Sequence, residues 1–257
     1  MIKEQNPTYD DIYADHYDLL SQHKDYGEET KSLDNLITSL SVNKKAPIID
    51  IGCGTGTHAI ELSQLRENPI CGFDTSESMI RKALSKSTTV DFISGEMSNL
   101  YKQNYSFAFS LFNVVNCLDD LVELTQFFLL VNKVLKPNSH FFFEFWNRAL
   151  VSLYPPKTVI REYFSEDKKI LRTVEPDNSE LNSGKLKLSY KVDVINDEGI
   201  QESFTRAHLL TLFSLQEIEA CLKDTDFEII FHRGALPDLS QSVKSARMTS
   251  VLTKKIR

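Results

Sequence analysis

Between residues 46 and 146 the hydrophobic positions fall in short blocks that alternate in kind. "APIIDIG" reads as a strand, "THAIELSQLR" as a helix, "PICGFDT" as a strand and "SESMIRKALSKS" as a helix. Strands "TVDFISG" and "YSFAFSLF", helix "LVELTQFFLLVNKVL" and strand "SHFFFEFW" continue the series, with a turn expected at Lys136-Pro137-Asn138. Connections this short close only a parallel sheet. Ahead of the first strand, Leu33, Leu36, Ile37 and Leu40 stand at helical spacing, which predicts a helix packed beside the sheet.

The pattern changes after residue 150. "KTVIREYF", "KILRTVEPD", "KLKLSYKVDVIN" and "IQESFTRAHLLTLF" are rich in β-branched and aromatic residues. They are broken at Asp177-Asn178 and at Asn196-Asp197-Glu198-Gly199, and so predict an antiparallel meander inserted into the parallel sheet. Helix "SLQEIEACLKDT" and strands "FEIIFHR" and "RMTSVLTKKI" then return to the main sheet. The expected division is an N-terminal helical lid over 1–45, a core over 46–150 and 214–257, and a β-rich insertion over 151–213 for substrate or dimer contacts.

Three of the chain's 9 glycines, Gly52, Gly54 and Gly56, fall within five positions at the end of the first strand. A strand that ends in such a turn and opens into a helix brings backbone close to a ligand. A nicotinamide fingerprint would need glycine at 57, where the chain has Thr57. The run Asp50-x-Gly52-Cys53-Gly54-x-Gly56 instead resembles the first motif of class I S-adenosyl-L-methionine (SAM) dependent methyltransferases. That resemblance implies a Rossmann-like, mostly parallel seven-stranded α/β sheet. It sets the Gly52–Gly56 backbone beside the amino acid end of SAM, with Asp50 orienting the SAM ammonium.

Two later strand ends agree with it. Asp74 ends the second strand, where a carboxylate accepts from paired ribose hydroxyls, and Thr75, Ser76 and Met79 continue the family's pattern, Met79 lying against adenine. Gly95, Glu96 and Met97 stand where the family carries Gly-Asp beside the adenine amino group. After the fourth strand, the resemblance assigns Leu111 and Phe112 to the cofactor and Asn113, Asn116 and Cys117 to the acceptor pocket. Asp119 and Asp120 fit better as the start of the next helix, so no metal is expected.

Near the N-terminus, Tyr17-Asp18 and Lys24-Asp25-Tyr26 resemble the lid of a small-molecule subset that includes nucleotide-amino-sugar N-methyltransferases. The resemblance implies transfer to N or O of a small polar metabolite, first of all a nucleotide-linked amino sugar. In this reading Tyr17, which also touches SAM, Glu144 and His208 handle the proton, while Tyr13, Tyr26 and Trp146 meet the substrate. Each has a plainer reading: Tyr13 and Tyr17 as amphipathic packing, Trp146 as a core cap, His208 as a structural histidine. The other histidines, His58 among them, give less reason for a role.

Composition narrows the partners. With 41% hydrophobic and 25% charged residues, the 257-residue chain suits one large α/β domain or a domain with an insertion. A net charge of -7 with scattered Lys and Arg argues against nucleic acid, and so against the alternative of a tRNA wobble-uridine methyltransferase. A non-catalytic SAM-fold subunit is the other alternative. Cys53, Cys71, Cys117 and Cys221 form no CxxC pair, and no signal peptide or bilayer-length apolar run occurs, so a cytoplasmic protein without membrane contact is expected. A homodimer through the insertion is a further expectation.

Overall fold

Aspartates start the first two helices. Asp10 accepts from Tyr13 N at 3.0 Å to cap α1 (Asp11–Leu20), and Asp25 accepts from Glu28 N at 3.0 Å to cap α2 (Tyr26–Ser39). The computed structural model describes residues 9–100, 104–165, 168–234 and 247–257. The first eight residues of the expected lid, residues 101–103 and 235–246 of the expected core and residues 166–167 of the expected insertion lie outside the described residues.

The alternating region folds as β1 (Ile48–Ile51), α3 (Thr57–Leu65), β2 (Ile70–Asp74), α4 (Glu77–Lys86), β3 (Asp91–Ser94), β4 (Tyr105–Ser110), α5 (Leu121–Val134) and β5 (Leu135–Trp146). The short helix α6 (Arg148–Leu153) leads into β6 (Val159–Ser165), β7 (Lys168–Asp177), β8 (Lys185–Asn196) and β9 (Gly199–Thr211). The chain ends with α7 (Leu215–Lys223), β10 (Phe227–Gly234) and β11 (Met248–Lys255). Strands β3-β2-β1-β4-β5 run parallel, and β11 and β10 join antiparallel at the β5 edge, giving seven strands. A separate antiparallel sheet takes β6-β7-β8-β9 in sequence order, as the meander pattern predicts.

One expected turn is displaced. Lys136-Pro137-Asn138 falls inside β5, where Asn138 adopts φ 63° and the pairing with β4 shifts register between Tyr105 and Phe107. The irregularity is absorbed within the strand, because asparagine tolerates the left-handed region.

Both faces of the main sheet are covered, so its central strands are apolar without alternation. Leu33 and Ile37 of α2 and Ala59 and Leu62 of α3 bury one face against Ile48, Phe107, Phe109, Phe142 and Leu252. α5 and α7 bury the other against Ile49, Phe141, Phe143 and Phe145. Helix α1 lies elsewhere: its Tyr13, Ala14 and Leu20 pack on Tyr163, Ile170, Val192 and Phe204 of the meander and on Met79 of α4. Three acids of α1 also meet three cations of α4, Asp11 with Arg81 at 2.8 Å, Asp15 with Lys82 at 3.5 Å and Asp18 with Lys86 at 2.9 Å. Among the described residues no helix is long and apolar enough to cross a membrane.

Candidate active site

A cavity of about 670 Å³ opens at the carboxyl ends of β1, β2 and β4, beneath α1 and beside β9. Parallel α/β sheets place their ligands outside this edge. Its floor is the turn after β1. Gly52, Gly54 and Gly56 have φ of 79°, 56° and 78°, backbone that favours glycine. A Cβ on Gly54 would meet nothing nearer than the Tyr17 ring at 4.0 Å, so that side of the turn faces open cavity. A Cβ on Gly56 would instead lie 2.4 Å from the Phe92 ring and 3.1 Å from Ala83. Gly56, expected at the cofactor, therefore serves the packing of α3 against the sheet and does not line the cavity.

Two carboxylates face this floor. Asp74 Oδ2 accepts from Gly54 N at 2.8 Å and Oδ1 from Ser76 N at 2.9 Å, which fixes the carboxylate against the turn. Burial raises its pKa, opposed by these backbone N–H groups. Asp50 is 3% exposed and makes no side-chain hydrogen bond or ion pair among the described residues. Burial, then the charge of Asp74, push its carboxyl well above the usual carboxylate range. A buried carboxylate without a partner is costly, and a ligand cation would relieve it. Asp50 for an ammonium, Asp74 for vicinal hydroxyls and the bare face of Gly54 together fit SAM.

The remaining wall mixes expected and unexpected residues. Of the residues expected at the site, Tyr17, Cys53, Thr75, Met79, Met97, Leu111, Phe112, Tyr26 and Cys117 line the cavity. Phe112 and Asn113 are consecutive left-handed residues, φ 56° and 66°, in the turn after β4. The lid motif divides its work: Thr55 Oγ1 donates to Asp18, Lys24 Nζ stands 3.6 Å from the Phe112 ring centre, and Asp25 caps α2.

Several expected site residues lie outside the lining. Glu144 points to the α2 face of β5, is 6% exposed, and accepts from Ser250 Oγ of β11 at 3.1 Å. Burial pushes its pKa up to about 7. Asn116 is a structural clamp: its Nδ2 donates to Trp146 O at 3.1 Å and Thr211 O at 2.8 Å, and its Oδ1 accepts from Trp146 N at 2.8 Å. Trp146 packs on the cluster of Val151, Leu186 and Leu212. Glu96 is exposed and accepts from Ser98 Oγ at 3.1 Å. Tyr13 is buried between α1 and the meander, and Asn113 turns its Oδ1 into protein without a hydrogen-bond partner. His208 lies tilted or edge-on among the rings of Tyr9, Tyr13 and Tyr190 on the inner face of β9, and burial, with Arg172 nearby, lowers its pKa to about 4.

The cavity adds residues that the sequence did not point to. Tyr9 lines it, as do Asp119 and Glu123 at the start of α5, and Ala207 and Leu209 from the face of β9 opposite His208. His58 lines it too, from the first turn of α3, with its Nε2 3.1 Å from Glu29. Its place two residues after the glycine run is the signal that could have found it. Among the described residues no group of three or more His, Cys, Asp or Glu is arranged to hold a metal ion.

Comparisons with known proteins agree with this geometry. Residues 42–169 match the family described as methyltransferase domain. The YqeM protein of Bacillus subtilis (strain 168) is 25% identical over 248 residues, 92% of this chain and 93% of its own. The sugar N-methyltransferase KedS8 from Streptoalloteichus sp. superposes with a TM-score of 0.78 at 16% identity, covering 94% of this chain and 93% of its own. SAM-bound CalS10, an amino pentose methyltransferase from Micromonospora echinaspora, does so at 0.74 and 18% identity, covering 98% and 100%. With the glycine turn and the two strand-end carboxylates in place, the chain belongs to the SAM-dependent methyltransferases.

Proposed function

We propose that the protein transfers the methyl group of SAM to an amino nitrogen of a small polar molecule, in the first instance an amino sugar, free or nucleotide-linked. The observation that carries this reading is one cavity that joins the Gly52–Gly54 turn and Asp74 to a wall of Tyr9, Cys117, Ala207 and Leu209. The fold likeness to a sugar N-methyltransferase and an amino pentose methyltransferase, over nearly the whole of each chain, supports the acceptor class.

Bound SAM would supply an electrophilic methyl group for transfer to an amine nitrogen, whose surplus proton would pass to water. Asp50 would hold the ammonium, Asp74 the ribose hydroxyls, and Tyr17 of α1 would lie over both. Burial holds the Tyr9 and Tyr17 hydroxyls well above their ordinary pKa, so they orient groups as neutral hydrogen-bonding partners and do not serve as phenolate bases. His208, with a pKa of about 4, is a weak proton acceptor, and Glu144 stands on another face of the sheet. Alignment is then the main source of acceleration, which suits an amine better than a sugar hydroxyl. In this reading α1 and α2 form the lid, and the meander contributes the acceptor wall through β9.

The test is transfer of labelled methyl from SAM across a panel of amines and matched alcohols, with SAM binding measured in parallel. Labelled amine products are expected. SAM binding without transfer to any acceptor would favour a non-catalytic subunit and refute the proposal.

A further inference from the structure

We infer that the acceptor enters this cavity as a free amine, neutral or cationic, and is not carried on a nucleoside diphosphate. The inference rests on the methyl-transfer reading above and adds the charge of the acceptor. Among the described residues the cavity wall holds four carboxylates, Asp50, Asp74, Asp119 and Glu123, and neither Lys nor Arg. The first two are committed to the cofactor; the other two begin α5 on the remaining wall, where Glu123 also accepts from Asp119 N at 2.8 Å. Phosphate groups are ordinarily met by arginine forks, lysines or helix N-termini with free N–H groups. The N-terminus of α5 offers no such seat, because Asp120 already accepts from Val122 N and Glu123 N, both at 2.9 Å.

Cations near the wall are turned to other partners, Lys86 among them, which donates to Asp18 Oδ2 at 2.9 Å. Lys24 sits over Phe112, Lys185 donates to Asp119 O at 2.6 Å and Thr211 Oγ1 at 2.7 Å, and Arg172 lies over Tyr190 and donates to Leu20 O at 3.2 Å. A diphosphate could alternatively lie outside the cavity, across the meander face that continues from Ala207 and Leu209. There three lysines face acids: Lys187 stands opposite Asp177 on the neighbouring strand, Lys191 stands 2.9 Å from Asp193, and Lys169 stands 2.7 Å from Glu162. The rim near the mouth is apolar besides, with Val122 and Leu209 exposed. Such a surface repels a dianion and accepts an amine, whose ammonium form the two α5 carboxylates attract.

Two measurements on the full-length protein test this. The first compares kcat/KM for a free amino hexose with that for the same amino hexose carried on uridine or thymidine diphosphate. The free sugar is expected to be favoured at least tenfold, and Glu123→Lys to narrow that ratio. An equal or higher value for the carried sugar would overturn the inference. The second titrates uridine diphosphate and thymidine diphosphate into the complex with S-adenosylhomocysteine, independently of turnover. No binding at millimolar concentration is expected; micromolar binding of either would overturn the inference even with no acceptor found. Failure of every amine to accept methyl would refute the proposed function instead, leaving the diphosphate titration to decide the charge question.

Discussion

Replacing the three glycines of the β1 turn one at a time separates cofactor contact from packing. Each has positive φ, so alanine at any of them adds about 1–2 kcal/mol of backbone strain. At Gly54 nothing else is added, since the new methyl meets only the Tyr17 ring at 4.0 Å. A stability loss of about 1–2 kcal/mol corresponds to a Tm drop of roughly 2–8 °C in a chain of this size. At Gly56 the methyl would stand 2.4 Å from Phe92, and overpacking adds about 1–3 kcal/mol, for a total of about 2–5. The ligand response should invert this order. Gly54→Ala places a methyl where the cofactor approaches, so SAM affinity should fall at least tenfold, about 1.4 kcal/mol. Gly56→Ala, wherever it remains folded, should bind SAM within about threefold of wild type, about 0.7 kcal/mol. Thermal unfolding supplies the first scale and titration calorimetry the second. Wild-type SAM affinity in Gly54→Ala would refute the placement of the cofactor along this turn.

Asp74→Ala should weaken SAM binding by about 1.5–3 kcal/mol through loss of a charged acceptor, and unchanged affinity by calorimetry would count against its ribose role. Glu144 predicts a stability slope. Its folded pKa of about 7 lies above the ordinary value of 4.5, so the folded state holds more protons between those limits and stability falls as pH rises through them. Glu144→Gln should flatten that part of the profile by up to about 3 kcal/mol while leaving SAM affinity unchanged; denaturant unfolding at pH 5 and pH 8 checks it. Leu209→Arg, at an exposed position of β9, should lower kcat/KM for the acceptor by about tenfold or more with SAM binding intact, which steady-state kinetics and calorimetry resolve together.

What the sequence made legible is local in origin. The glycine turn, Asp74 two positions before the Ser76 cap of α4, and the Asp120 cap of α5 all depend on residues close in the chain. The meander was legible because its strands pair in sequence order through short turns. The expected site residues that lie outside the lining share a different cause. In "FFFEFW" both faces of the strand are buried, so apolar alternation cannot say which face Glu144 takes, and its partner Ser250 lies 106 residues away. Asn116 looked like a pocket amide because its three hydrogen bonds run to Trp146 and Thr211, contacts no local pattern encodes. Gly56 matched the motif, yet its neighbour Phe92 comes from β3. On β9 the histidine drew notice while the small and apolar residues beside it, Ala207 and Leu209, face the cavity.

The paired charges between α1 and α4 bear on how fast the enzyme can exchange its cofactor. Tyr17 lines the cavity from the same helix that sets Asp11, Asp15 and Asp18 against Arg81, Lys82 and Lys86, so if that helix acts as the proposed lid it would lift for a ligand to leave. Pairs this open to water are weak one by one and are weakened further by added salt. The apolar contacts of Tyr13 and Leu20 with the meander remain unaffected by salt, so the helix should loosen without detaching. Added salt should therefore hasten release of S-adenosylhomocysteine in stopped-flow experiments, relieving product inhibition, and Lys86→Met should reproduce part of that effect at low ionic strength. A release rate indifferent to both would mean that the helix is held by its apolar side alone.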